Sequence, residues 1–188
     1  MNYMQINKFD TANGYGVRVS IFVAGCSFAC KGCFNKAAWS YSAGVPFTDM
    51  TIYEVVQAAD DRAISGLSIL GGEPLEPRNV ASVLNLVRVF KSSYPDKDIW
   101  LWTGYEMHEL TERMSGTDGD QLLEELLKHV DTLIDGRYDA SKPTSKPYCG
   151  SDNQIMWNKQ DVWMNGEIKW VAFQKSLATA PVHFDRGN

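Results

Sequence analysis

The chain has 188 residues, 44% hydrophobic and 22% charged, the size and composition of one globular domain. With 18 Lys and Arg against 23 Asp and Glu, the formal net charge is −5, which argues against the basic surface that drives nonspecific phosphate binding and so against nucleic acid. No apolar run reaches the roughly 18 residues of a membrane span, and Met1 to Asp10 is polar and mixed, without a signal peptide's apolar core, so a cytoplasmic protein with no membrane partner is expected.

Val17–Val23 (VRVSIFV) is β-branched and partly alternating, and predicts a buried first strand ending at Ala24 and Gly25. Thr51 with Glu54 reads as a capping box, opening a helix whose apolar face is Ile52, Val55, Val56 and Ala59. A second strand at Leu67–Leu70 is stopped by Gly71 and Gly72. Asn79 is placed to cap a helix carrying Val80, Val83, Leu84, Val87 and Phe90, which closes near Tyr94-Pro95. The third strand is Asp98–Trp102. A short helix over Glu106–Met114, a loop over 115–119 and an amphipathic helix built on Leu122, Leu123, Leu126, Leu127 and Val130 precede a fourth strand at Thr132–Ile134.

Strands that alternate with helices imply parallel pairing with right-handed crossovers, hence an α/β domain whose helices cover the sheet. The strand ends near Gly25, Gly71, Thr103 and Asp135 all lead into turns, the place where parallel sheets collect ligands. Four strands are too few to close an eight-stranded barrel, so an open or partial barrel is expected. After Gly136 the chain changes character. Lys142-Pro143 and Lys146-Pro147 punctuate a loop, and Asn165-Gly166, flanked by Val162, Trp163, Ile168, Trp170 and Val171, suggests a terminal hairpin.

Three of the four cysteines, Cys26, Cys30 and Cys33, fall within eight residues, and Cys149 stands alone. In a reducing compartment such a cluster points to metal or redox chemistry rather than to disulfides. A structural zinc site wants four protein ligands, and the nearest histidine in sequence is His108. Soft thiolates also suit iron–sulfur clusters, and a four-iron cubane held by three cysteines leaves one iron open to a ligand that is not protein.

The spacing Cys26-x3-Cys30-x2-Cys33 after a first strand resembles the cluster loop of the radical S-adenosylmethionine enzymes. Gly71-Gly72-Glu73-Pro74 after the next strand resembles that family's Gly-Gly-Glu-Pro turn, where glycine lets the backbone approach a ligand and carbonyls or the Glu73 carboxylate accept from an ammonium. Over most of the chain the pattern is similar to that of the small glycyl-radical activases that serve anaerobic ribonucleoside-triphosphate reductase. The matching pieces are Met1-Asn2-Tyr3, Asn13-Gly14 with Gly16 and Arg18, Gly32-Cys33-Phe34-Asn35-Lys36 with Trp39, Asp98 to Tyr105, Asp135-Gly136-Arg137, and Gly150-Ser151 with Asn153-Gln154. The chain departs from the usual pattern at Tyr15 (proline), Phe34 (tyrosine), Glu73 (aspartate) and Cys149 (arginine).

The resemblance implies a partial (β/α) barrel of the radical S-adenosylmethionine type over residues 1–157, followed by an extension over 158–188. It implies a 4Fe–4S cluster on Cys26, Cys30 and Cys33 and S-adenosylmethionine on the open iron, cleaved reductively to a 5′-deoxyadenosyl radical. Gly32, Cys33, Phe34, Gly71, Gly72, Glu73, Thr103, Asp135 and Arg137 are the expected cofactor contacts. The expected partners are the large subunit of the reductase, on which a glycyl radical forms, and an electron donor such as reduced flavodoxin.

Blander readings stand beside these: turn chemistry for Gly71 to Pro74, Thr103-Gly104 and Asp135 to Arg137, core packing for Trp39, Trp100 and Trp102, and a free structural thiol for Cys149. His108 and His129 read as helix-surface or packing residues, and His183 carries no pattern. Activation of another glycyl-radical enzyme such as pyruvate formate-lyase, and a noncatalytic iron–sulfur electron carrier, are the functional alternatives.

Overall fold

A computed structural model describes residues 1–115, 119–160 and 169–173. The β-branched run of the first predicted strand forms β2 (Val17–Val23), which is preceded by an antiparallel partner, β1 (Asn2–Asp10), and followed by the two-residue β3 (Val45–Pro46). Thereafter come α1 (Asp49–Ala58), β4 (Ile64–Gly71), α2 (Pro77–Ser93), β5 (Asp98–Trp102), α3 (Met107–Met114), α4 (Gln121–His129), β6 (Thr132–Asp135), β7 (Ile155–Gln160) and β8 (Lys169–Ala172). The sheet order is β3-β1-β2-β4-β5-β6-β7-β8. The four central strands, β2, β4, β5 and β6, are parallel, and antiparallel pairs flank them on both sides. The class is therefore mixed α/β with a parallel centre, and the sheet is open rather than closed on itself.

Alternation along the central strands separates two faces. Val19, Ile21, Val23, Leu67, Ile69, Ile99, Leu101 and Leu133 join Val55 of α1, Val83, Val87 and Phe90 of α2, Leu110 of α3 and Leu123, Leu126 and Leu127 of α4 in one buried core. The helices thus cover one face. On the other face Trp100, Ile134 and Met156 form a smaller cluster with Trp102, Tyr148 and Cys149. Arg18 is wholly buried there. Its guanidinium donates to Ser68 Oγ (2.7 Å), Asp98 Oδ1 (2.7 Å) and Leu67 O (3.0 Å) and lies 5.3 Å from the Trp100 ring, so every face of the desolvated charge is met by an acceptor or a π system.

Several boundaries differ from the sequence reading. Helix α1 starts earlier, with Thr48 as N-cap and Thr51 closing the capping box (Thr48 N to Thr51 Oγ1, 3.1 Å), while Glu54 pairs with Lys8 at 3.0 Å. Glu76, not Asn79, occupies the N-cap position of α2, without a side-chain capping bond. Pro77 then takes the first helical position, where its missing N–H costs nothing, and the Asn79 amide turns inward to Ala24 O (3.0 Å) and Glu73 O (2.9 Å). Strands β1, β3 and β7 were not foreseen. Strand β7 runs through residue 157 and pairs with β6 and β8, and Trp157 and Trp170 pack against the core. The turn expected at Asn165-Gly166, with Val162, Trp163 and Ile168, lies outside the described residues, as does His183. Among the described residues no helix is long and apolar enough to cross a membrane.

Candidate functional site

The carboxyl ends of the parallel strands open into one cavity of ≈ 280 Å³ bordered by Cys26, Cys30 and Cys33. The cysteine loop leaves β2 through Gly25, whose φ of 91° is a left-handed conformation natural to glycine. It is closed by the 3-10 helix Lys36–Ala38: Gly25 N donates to Ala38 O (2.8 Å) and Cys26 N to Trp39 O (3.0 Å). Both the amide and the hydroxyl of Ser27 donate to Glu76 Oε1 at the start of α2. Within the loop Cys33 N donates to Cys30 O (3.1 Å), and Asn35 N donates to Cys33 Sγ (3.4 Å).

Burial pushes the Cys26 thiol up to about 11. Burial also raises the Cys30 thiol. Thiols disfavoured as free thiolates are well served by a metal that displaces the proton. Among the described residues no three His, Cys, Asp or Glu side chains converge on a single-ion site. The cysteine loop brings three thiols to one cavity, a soft donor set that suits an iron–sulfur cluster.

The glycine turn after β4 packs directly under the cysteine loop. Gly72 N donates to Val23 O (2.7 Å) and Glu73 N to Gly25 O (2.8 Å). A Cβ on Gly72 would sit 2.6 Å from Gly25 O, so glycine is needed for the backbone of the two loops to meet. Gly71, Gly72 and Glu73 all border the cavity. The Glu73 carboxylate is 1% exposed. Oε1 accepts from Leu75 N (2.9 Å) and Thr103 Oγ1 (2.7 Å), and Oε2 accepts from Gly104 N (2.6 Å), so it ties the turn to the exit of β5. Burial outweighs these donors and lifts its pKa to about 7.

Of the expected contacts, Cys26, Cys30, Cys33, Phe34, Gly71, Gly72, Glu73 and Thr103 border the cavity, Phe34 being 84% exposed. Gly32, Asp135 and Arg137 are not brought to its wall. Asp135 is buried behind it, where it accepts from Met107 N at the start of α3 (2.8 Å) and from Ile155 N of β7 (3.2 Å). Arg137 forks onto Glu109 (3.0 and 2.8 Å) and lies over the Phe28 ring.

Sequence reasoning missed Phe28, Tyr138 and Tyr148, which also line the cavity. The isolated Cys149 lines it too, together with Gln154. Only the aromatic at the centre of the cysteine loop carried a local signal.

Residues 12–157 match the family model of a 4Fe-4S single cluster domain. Fold, cysteine loop and match together define an iron–sulfur protein of the α/β class. The chain is 42% identical over 164 residues to the anaerobic ribonucleoside-triphosphate reductase-activating protein of Enterobacteria phage T4, covering 87% of this chain and 98% of that one. It is 42% identical over 160 residues to the protein of that name from Pasteurella multocida strain Pm70 (84% and 97% covered), and 36% identical over 159 residues to that of Escherichia coli K12 (83% and 97%). The chain belongs to the family of anaerobic ribonucleoside-triphosphate reductase-activating proteins.

Proposed function

We propose that the protein is a radical S-adenosylmethionine oxidoreductase that activates the large subunit of anaerobic ribonucleoside-triphosphate reductase by installing a glycyl radical on it. The observation that carries this reading is the meeting of three cysteines and the Gly71-Gly72-Glu73 turn at one cavity, in a chain whose relatives bear that activator's name. Cys26, Cys30 and Cys33 hold the 4Fe–4S cluster. Bound together, cluster and S-adenosylmethionine supply the electron and the hydrogen-abstracting radical.

The protein's own residues position and shield. Backbone carbonyls of the Gly71-Gly72 turn accept from the cofactor's ammonium, and Glu73, already engaged with three protein donors, holds Thr103 and Gly104 in place at the cavity wall. Phe34 stands exposed at the rim of the cavity. The open sheet supports reading the domain as a partial barrel whose free side admits a segment of a large protein substrate. Reduced flavodoxin or a similar cytoplasmic donor provides the electron.

A second reading, a noncatalytic electron carrier, draws on Cys149, a fourth thiol at the same cavity. Anaerobic incubation of the reconstituted protein with reductant and S-adenosylmethionine separates the two. An activase forms 5′-deoxyadenosine and methionine, whereas a carrier is reduced and reoxidised with the cofactor intact.

A further inference from the structure

We propose that the Arg137–Glu109 pair is a positioning and charge-setting element that tunes the reduction potential of the cluster through the cysteine loop. The inference rests on the cluster reading above and gives Arg137 a place behind the loop instead of on the cofactor. Its guanidinium lies 4.4 Å from the centre of the Phe28 ring, and Phe28 is midway between Cys26 and Cys30. Phe28 is held from elsewhere as well. Tyr105 meets its ring edge-on at 4.8 Å, and a Cβ at Gly104 would come within 2.5 Å of the ring, so the aromatic is seated where only glycine leaves room.

The cation is fixed with equal care. Both terminal nitrogens of Arg137 donate to Glu109 in a fork, and the Asn153 amide donates to Arg137 O (2.8 Å). A forked, stacked guanidinium is a planar geometry that lysine does not reproduce. The next residue, Tyr138, lines the cavity together with Cys26, Cys30 and Cys33. One short segment therefore sets a full positive charge against the cysteine loop and an aromatic residue on the cavity wall.

Iron–sulfur potentials follow net charge and hydrogen bonds to sulfur. Reduction adds a negative charge to the cluster, so a fixed cation packed on Phe28 of the cysteine loop favours the reduced state. Glu109 opposes that effect. It sits beyond the guanidinium on α3, with Glu106 on the same helix end, and its remaining contact is the Glu106 N–H (2.8 Å). Removing either member of the pair should thus move the potential in opposite directions, whereas a purely structural role in holding the loop would move both variants the same way.

The test is a potentiometric titration, followed by electron paramagnetic resonance, of the reconstituted full chain and its Arg137→Gln, Arg137→Lys and Glu109→Gln variants, with iron per chain measured in each. Arg137→Gln is expected to shift the potential down by about tenfold in the reduced-to-oxidised ratio, about 59 mV for one electron. Glu109→Gln shifts it up, and Arg137→Lys, which keeps the charge, restores most of the wild-type value. Shifts of the same sign for Arg137→Gln and Glu109→Gln, or unchanged potentials at full iron content, overturn the proposal. If Arg137→Gln loses iron, Glu109→Gln decides alone, because the amide still accepts the Glu106 N–H that completes the capping box. A wild-type protein that takes up no cluster refutes the proposed function itself, a result the iron analysis separates from an unmoved potential.

Discussion

Replacing Glu73 with Gln isolates the one carboxylate that the fold buries completely at the cavity wall. In the folded protein its pKa stands at about 7 because burial disfavours the charge, against 4.5 for an ordinary glutamate. The folded state therefore binds this proton more tightly than the unfolded chain does. Stability falls as pH rises between those two values, by about 3 kcal/mol at 1.36 kcal/mol per pKa unit. Glu73→Gln cannot titrate, so this part of the pH dependence disappears. The variant also carries a cost of its own at every pH, because its Nε2 is a donor set against a donor where the carboxylate accepted from Gly104 N, so the reading is the change with pH and not the absolute stability. Between pH 5 and pH 8 the wild type loses about 3 kcal/mol of stability that the variant does not lose. Urea unfolding of the cluster-free proteins at both pH values measures the difference. Parallel stability profiles would show that the hydrogen bonds fully compensate the buried charge and that burial does not dominate this site.

Each of Cys26→Ala, Cys30→Ala and Cys33→Ala is expected to lose the cluster, while Cys149→Ala keeps it, as read by iron and sulfide per chain after anaerobic reconstitution. Equal loss in Cys149→Ala would favour the carrier. Gly72→Ala places a Cβ 2.6 Å from Gly25 O and 3.1 Å from Ala38 O, against backbone that cannot swing aside, so it should cost about 1–3 kcal/mol of stability and lower both iron retention and cofactor affinity. Normal values in both assays would show that the two loops do not need to touch. Arg18→Met removes the buried donor to Ser68 Oγ and Leu67 O and the cation of Asp98, whose side chain is 41% exposed, and should cost about 1–3 kcal/mol in urea unfolding; a stability change under about 0.5 kcal/mol would make the buried guanidinium dispensable.

Strands β2 and β5 were legible to the residue because β-branched or aromatic runs are bounded there by turn residues on both sides. Strand β1 was not, since Asn2–Asp10 mixes polar and apolar residues without a clean period and becomes a strand only by pairing with a segment that follows it. The start of α1 was misplaced because two threonines three residues apart both suit a cap. Thr48 won, and its partner Thr51 is the residue the sequence pointed to. Asn79 looked like a cap for the same chemical reason that makes it useful inside, an amide able to bridge two carbonyls. At the site, the cysteine spacing and the double glycine are local patterns and could be read directly. Tyr138, Tyr148 and Cys149 arrive from a distant loop, which no periodicity announces. Asp135 and Arg137 were placed at the right strand end, yet register turns their side chains toward α3 and the cysteine loop, and a linear sequence does not reveal that direction.

The most direct test of the account is electron paramagnetic resonance of the large reductase subunit after anaerobic incubation with the reconstituted protein, a reductant and S-adenosylmethionine. The account predicts a glycine-centred radical signal on the large subunit, accompanied by 5′-deoxyadenosine and absent with Cys30→Ala. A cluster of full iron content that binds and cleaves the cofactor yet leaves the subunit without that signal would contradict it.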